Sequence, residues 1–97
     1  MTMTKLTLNT RLKEILVIAQ EEAAEVIQEI SKIFRFGINE NHKSGISHRE
    51  MLENEIADFL VMVDLLREEG VIDDIKLEAA KQRKIKKLQV WSNIYRS

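Results

Sequence analysis

The chain has 97 residues and a formal charge of −1, and 32% of its residues are charged. This length fits a single domain covering residues 1–97, and a domain so small leaves much of its surface uncovered, so partner subunits are expected to stabilise it. The nearly balanced charge gives no general attraction for nucleic acids or anionic membranes, and the absence of cysteine excludes disulfides and thiolate zinc sites.

The N-terminal segment "MTMTKLTLNT" lacks the apolar core of a signal peptide, and no apolar run is long enough to span a bilayer. We therefore expect a soluble protein of the cytoplasm. With no proline, only three glycines and 44% hydrophobic residues, the composition favours helices, because straight-chain side chains lose little rotamer freedom in them. The predicted fold class is all-α.

The first predicted helix runs from about Leu8 to Phe36. Its apolar residues recur at helical spacing, and they are Leu12, Ile15, Leu16, Ala19, Ala23, Val26, Ile27, Ile30, Ile33 and Phe34. The next segment, "GINENHKSGIS" (residues 37–47), contains two glycines and two asparagines and has no periodicity. It is predicted to be a loop.

The second predicted helix begins at Ser47. Glu50 follows three residues later and completes a capping box, in which each side chain can satisfy the free backbone N–H of the other residue. Gly70 is predicted to end this helix as its C′ residue, because glycine adopts the left-handed conformation that a helix end often needs.

Asp73 or Asp74 is predicted to cap a third helix, which extends from about Ile75 towards Tyr95. Short connections favour antiparallel neighbours. We therefore predict a helical bundle of two long helices plus a third, which oligomerises into a four-helix-type core.

Carboxylates interrupt an apolar row on each long helix. The row on the first helix is Ile15, Ala19, Glu22, Val26 and Ile30, and the row on the second is Met51, Glu55, Asp58, Met62 and Leu65. Glu25 lies beside Glu22 on the helix surface, three residues along. Carboxylates among apolar side chains are costly unless a positive charge meets them, and no lysine or arginine lies on these rows.

Two helices that present two carboxylates each can surround a divalent cation with oxygen ligands, which suits Mg²⁺ or Mn²⁺. The alternative is that these acids simply face solvent. A di-iron carboxylate bundle is disfavoured, because it needs Glu-x-x-His on its helices. The two histidines, His42 and His48, lie in or beside the predicted loop, and we interpret both as surface residues.

The acidic segments "EEAAE" (Glu21 to Glu25) and "EIAD" (Glu55 to Asp58) resemble the paired E-E-x-x-E and E-x-x-D motifs of the MazG-like superfamily of all-α nucleoside triphosphate pyrophosphatases. The flanking sequence is similar to the small phage and bacterial members in particular, and the likeness covers about residues 12–90. The stretch between the two motifs is long for this family.

The resemblance implies hydrolysis of a nucleoside triphosphate, in the first instance a dNTP, to the monophosphate and pyrophosphate. It also implies Mg²⁺ dependence and a homodimer or homotetramer. Carried over by position, the metal ligands would be Glu22, Glu25, Glu55 and Asp58. Glu21 and Glu22 would be the catalytic residues, with Glu21 serving as an extra ligand or as a base that orients water. Independently, a triphosphate carries about four negative charges, so acidic residues could bind it only through a cation.

The segment "KQRKIKK" places five cations within seven residues. Lys81 and Lys84 share one helix face and are predicted to contact the substrate phosphates, in agreement with the basic residues that the family has on this helix. The alternative is a solvated face near a helix C-terminus. A nucleic-acid patch is disfavoured, because no aromatic residues are interleaved with the charges. Trp91 and Tyr95 are expected to pack in a subunit contact, and the alternative is stacking on a base.

Two other functions stay open at this point. The chain could be a non-enzymatic interaction module, in which the apolar face binds a partner helix and the acids confer solubility. Within the same superfamily, it could be a phosphoribosyl-ATP pyrophosphatase like that of histidine synthesis. Base preference depends on pocket shape and a few hydrogen bonds, which the spacing of the motifs does not encode.

Overall fold

In the computed structural model, which describes residues 8–39 and 45–96, the chain forms three α-helices and, within those ranges, no extended strand. The helices are α1 (Thr10–Phe36), α2 (His48–Glu68) and α3 (Asp74–Trp91). The prediction of an all-α fold is confirmed. No helix in these two ranges is long and apolar enough to cross a membrane.

The starts of α2 and α3 are set by the predicted capping residues. Ser47 Oγ accepts a hydrogen bond from the Glu50 backbone N–H at 3.2 Å. Of the two candidate caps for α3, Asp73 is the one that the structure uses, and its Oδ1 accepts two backbone N–H groups of the first turn. These side chains satisfy N–H groups that have no partner within the helix.

Gly70 ends α2 as predicted. Its φ is +75°, a conformation that glycine adopts without the steric penalty of a Cβ. The Gly70 N–H donates to the Arg67 carbonyl, and the Val71 N–H donates to the Leu66 carbonyl. This pair of bonds is the Schellman motif, and it turns the chain sharply before α3.

The third helix includes the whole of the segment "KQRKIKKLQVW" and ends with it at Trp91. The helix does not extend on to Tyr95. Ser92 is extended, and its hydroxyl donates a hydrogen bond of 2.7 Å to the Leu88 carbonyl. A side chain that bonds locally to the backbone competes with helix continuation, which accounts for the difference.

α1 and α2 form an antiparallel hairpin with a small apolar core. Ile15, Ala19 and Met62 are buried and pack together. They lie in the first half of α1 and the second half of α2, at the end of the hairpin away from its connecting loop. At the same end, Arg11 and Glu69 form an ion pair of 3.3 Å. The other half of the hairpin interface contains the carboxylates described below.

α3 makes only slight contact with the hairpin in the part of the chain that the structure describes, and none of its residues is buried. Arg67 on α2 pairs with Asp74 at the start of α3 and with Asp64, which fixes the turn between the helices. The Cα radius of gyration is 17.2 Å, against about 13 Å for a compact domain of this length. α3 therefore projects from the hairpin instead of completing a three-helix core.

His48 is not a surface residue, and that prediction was wrong. Its side chain is 3% exposed and stacks on the Phe36 ring, with ring centroids 5.6 Å apart. The Arg49 N–H donates to the Ile38 carbonyl, which links the start of α2 to the segment that follows α1. His42 lies outside the described residues.

Candidate metal centre

Three carboxylates from two helices converge in the hairpin. Glu22 lies on α1, and Glu55 and Asp58 lie three residues apart on α2. One oxygen of each carboxylate lies within 4.8 Å of the oxygens of the other two. The three-residue spacing puts Glu55 and Asp58 on one face of α2, and antiparallel packing brings Glu22 opposite them. The structure therefore groups three of the four residues that the sequence predicts as metal ligands.

The carboxylate of Glu22 is placed unfavourably unless a positive charge joins it. Glu22 and Glu55 are half-buried, whereas Asp58 is exposed. The Oε2 atom of Glu22 is buried and has no hydrogen-bond partner among the described residues. A buried carboxylate oxygen without a partner loses its hydration and gains nothing in return. A cation held by the three acids would supply the missing interaction.

The electrostatics of Glu55 show the same imbalance. Burial raises the pKa of the Glu55 carboxyl above its ordinary value, and the negative charges of Asp58, Glu22, Glu25 and Glu29 raise this pKa further. The ionised form of Glu55 is thus disfavoured in the metal-free protein. A divalent cation at this position would favour the ionised form instead.

The donor set fits a small, hard dication. All three donors are carboxylate oxygens, which Mg²⁺ and Mn²⁺ prefer. Ligands bound at about 2.1 Å from Mg²⁺ lie at most about 4.2 Å apart, so modest side-chain rotations would bring the three oxygens into its coordination shell. Glu22, Glu55 and Asp58 are the residues that would hold the ion.

Two further glutamates of the first motif lie outside this group of three. Glu25 is exposed on α1, but its charge contributes to the raised pKa of Glu55, so it lies near the site. Glu21 is also exposed. The assignments of Glu25 as a fourth ligand and of Glu21 as a catalytic residue stay predictions.

Glu29 is a buried acidic residue to which the sequence pattern assigns no function. It is 2% exposed, and its Oε1 accepts a hydrogen bond of 3.1 Å from Lys32 Nζ. Glu29 follows Glu22 by seven residues, which places both on one face of α1. That spacing is the signal in the sequence, but the adjacent Ile30 also fits the apolar row, and the row predicts that Ile30 is the buried residue.

The two predicted phosphate-binding lysines do not join the acidic group within one chain. Lys81 and Lys84 are exposed on α3, the helix that makes only slight contact with the hairpin. Lys81 Nζ lies 3.5 Å from the Glu78 carboxylate, and both side chains are exposed. Contact between these lysines and a bound phosphate therefore stays a prediction.

No known protein family, curated protein or solved structure matches this chain. Among the residues that the structure describes, the three carboxylates of Glu22, Glu55 and Asp58 form an acidic group between two antiparallel helices.

Proposed function

We propose that this protein is a Mg²⁺-dependent nucleoside triphosphate pyrophosphohydrolase, which converts a (d)NTP and water to the (d)NMP and pyrophosphate. The observation that carries the proposal is that one carboxylate oxygen from each of Glu22, Glu55 and Asp58 lies within 4.8 Å of the other two. These acids come from the two motifs that resemble those of the MazG-like superfamily. A cytoplasmic location is part of the proposal.

In this proposal the acidic residues hold the cation or act on water, and Glu22 does both. Glu22, Glu55 and Asp58 hold Mg²⁺, for which Mn²⁺ can substitute, and Glu25 is the fourth ligand. When bound, the cation supplies the positive charge that lets a triphosphate approach an acidic surface. Glu21 and Glu22 are the residues that orient the water, as carboxylates beside the site can accept its proton.

Lys81 and Lys84 complete the proposal as phosphate-binding residues. Both are exposed, so their ammonium groups are accessible to a nucleotide. An ammonium on a flexible stem can bind phosphate oxygens as a mobile point charge. Because α3 has only slight contact with its own hairpin, these lysines would reach an acidic site most readily when α3 packs against a second copy of the chain.

Self-association is part of the proposal, as a homodimer or homotetramer. α3 makes only slight contact with the hairpin in the described part of the chain, and none of its residues is buried, so its apolar side chains are available to a partner subunit. The side chains available for that interface are apolar and include Ile27, Phe34, Ile75 and Trp91, each more than half exposed. Two hairpins packed together would give a four-helix core.

The test is to incubate the purified protein with each dNTP and NTP and Mg²⁺, and to measure pyrophosphate. Asp58→Asn and Glu25→Gln are expected to abolish release while helicity by circular dichroism is unchanged. Glu53→Gln is the matched control, because Glu53 is exposed on α2 and pairs only with Arg49 at 3.7 Å in the described part of the chain. Absence of pyrophosphate from every nucleotide, at enzyme concentrations that would reveal slow turnover, would refute the proposal.

The exposed apolar side chains also favour the second candidate, a helical interaction module without enzymatic activity. The two functions differ in their response to metal. A melting temperature that is unaffected by Mg²⁺ or Mn²⁺, with and without nucleotide, would support the module. Within the enzymatic proposal, a comparison of phosphoribosyl-ATP with ordinary dNTPs distinguishes the pyrophosphatase of histidine synthesis from a general one.

A further inference from the structure

α3 carries an apolar row that two lysines interrupt. The members of this α3 row follow one another at alternating intervals of four and three residues, and they are Leu77, Lys81, Lys84, Leu88 and Trp91. At that spacing all five lie along one side of the helix. Trp91 is 85% exposed, and no residue of α3 is buried. The chain's own hairpin therefore gives this row little cover.

The α3 row matches the acidic row of α2 position by position. The α2 row has the same intervals and consists of Met51, Glu55, Asp58, Met62 and Leu65. Lysines stand in the α3 row at the two positions that carboxylates occupy in the α2 row, and apolar residues occupy the other three positions in both rows. Each row extends over about 21 Å by helix rise. Packing of the two rows would place opposite charges at one level and apolar side chains above and below it.

The two helices are also opposite in overall charge. α3 contains six basic and two acidic residues, whereas α2 contains two basic and six acidic residues, so their formal charges are +4 and −4 with histidine neutral. Lys81 pairs at 3.5 Å with Glu78, an exposed residue of its own helix. Neither Lys84 nor Asp58 makes an ion pair within the described residues. The charges of the two rows are therefore available to each other.

One side of the α2 row is open to a partner. Met62 is buried in the core of the hairpin, but Asp58 is exposed, and Val61, three residues further on, is 55% exposed. The chain's own α3 makes only slight contact with the hairpin in the described part of the chain, and the ion pair between Arg67 and Asp74 fixes the turn from which α3 projects. The open side is therefore accessible to the α3 of another copy.

We propose that the α3 row docks on the open side of the α2 row in a second copy of the chain, so that Lys81 and Lys84 lie beside Glu55 and Asp58 of the partner subunit. The inference deepens the proposed self-association and rests on it, but it requires neither a bound cation nor catalytic activity. Each acidic site then contains residues of two chains. The two ammonium groups offset part of the negative charge that the carboxylates share, and they lie where a nucleotide would bring its phosphates.

The experiment is disulfide cross-linking, which is direct here because the chain has no cysteine of its own. Full-length Lys84→Cys and Asp58→Cys are mixed in chelator and oxidised mildly, with one of the two labelled with ¹⁵N so that the mixed disulfide is identified by its mass. Two cysteines can bond only when their Cα atoms come within about 7 Å of each other. We therefore expect the mixed disulfide to form at least about ten times faster than in mixtures whose cysteines face apart.

Two such mixtures are the matched controls. In one, Arg83→Cys replaces Lys84→Cys, and in the other, Glu53→Cys replaces Asp58→Cys. Arg83 and Glu53 are exposed on the same two helices, but they lie at least about 100° around the helix from Lys84 and Asp58 respectively. Cysteines at these positions report chance collisions between the copies.

A second pair of variants tests the contribution of charge. In the Lys84→Cys protein, Lys81→Gln should slow the mixed disulfide about threefold, because it removes a cation that attracts the partner's carboxylates. Lys86→Gln makes the same change on another side of α3 and should slow it much less. Equal rates for these two variants would overturn the pairing of charges.

Two results would overturn the docking itself. One is a mixed disulfide that forms no faster than in the controls. The other comes from a chain that carries both Asp58→Cys and Lys84→Cys. An intramolecular disulfide in this chain at low protein concentration would mean that its own α3, and not that of a second copy, covers the α2 row.

Failure of this inference differs from failure of the proposed hydrolysis, because the cross-linking needs neither nucleotide nor metal. The expected pattern of disulfides in a protein that releases no pyrophosphate from any nucleotide would uphold the docking and refute the hydrolase. Pyrophosphate release without that pattern of disulfides would do the reverse.

Discussion

Replacing Glu55 by glutamine tests the electrostatic argument without any assay of activity. Glu55 lies within 4.8 Å of both Glu22 and Asp58. At that separation two unit charges repel by about 0.9 kcal/mol in water and by about 3.5 kcal/mol at an effective dielectric constant of about 20. Because Asp58 is exposed and Glu22 half-buried, we expect Glu55→Gln to stabilise the metal-free protein by about 1–3 kcal/mol, between these limits.

The assay is thermal unfolding at neutral pH, followed by circular dichroism at one protein concentration. In a chelator, Glu55→Gln should melt above the wild type, by about 4–8 °C for each kcal/mol in a domain of this size. Mg²⁺ at one thousand times its Kd should reverse the order, because it stabilises the wild type by about 4.1 kcal/mol, more than the expected advantage of the variant. Glu55→Gln, which has lost one carboxylate ligand, should be stabilised much less by Mg²⁺.

The control for this reversal of the melting order is Glu53→Gln, which removes an exposed charge two residues away. Its melting temperature should stay close to that of the wild type in chelator and in Mg²⁺. Glu55→Gln would contradict the reasoning in either of two ways. It could melt at or below the wild type in chelator, which would mean that the carboxylates do not repel each other appreciably. Its melting temperature could also rise as much in Mg²⁺ as that of the wild type, which would mean that Glu55 holds no cation.

The raised pKa of Glu55 predicts a pH dependence of stability. The pKa of Glu55 is raised above its ordinary 4.5, so the folded metal-free protein holds a proton that the unfolded chain releases. The free energy of unfolding should therefore fall as pH rises from 4.5 through the raised pKa, and urea titrations should show this fall in the wild type and a smaller fall in Glu55→Gln. Asn9→Ala should lose about 1 kcal/mol in the same titration, because Asn9 Oδ1 accepts the Leu12 N–H at 2.9 Å, and an unchanged midpoint would argue against this cap. Ile27→Glu, at a side chain 68% exposed, should shift the protein to a smaller species in analytical ultracentrifugation, whereas the neighbouring Gln28→Glu should not; a wild type that sediments as a monomer would contradict self-association.

Local interactions made the helix ends predictable from the sequence. Ser47, Gly70 and Asp73 act on backbone groups within a few residues of themselves, so their effect needs no knowledge of the fold. The approach of Glu22 to Glu55 and Asp58 was also predictable. Acids that interrupt the apolar rows of two adjacent antiparallel helices face each other where the two interruptions lie at the same height along the hairpin.

Burial was harder to predict, because it depends on which helix face the partner covers. Periodicity defines an apolar stripe more than 100° wide, and a rotation by one residue within it buries Glu29 and leaves Ile30 exposed. His48 was misjudged for a related reason, since its cover comes from Phe36 at the far end of another helix. Neither contact is visible in the local sequence around the residue.

A crystal structure of the protein grown with Mn²⁺, with anomalous diffraction to locate the ion, tests directly whether the three carboxylates bind a cation. We predict an anomalous peak between α1 and α2, at about 2.2 Å from carboxylate oxygens of Glu22, Glu55 and Asp58. Carboxylates that point apart into solvent, with no peak between them, would contradict it.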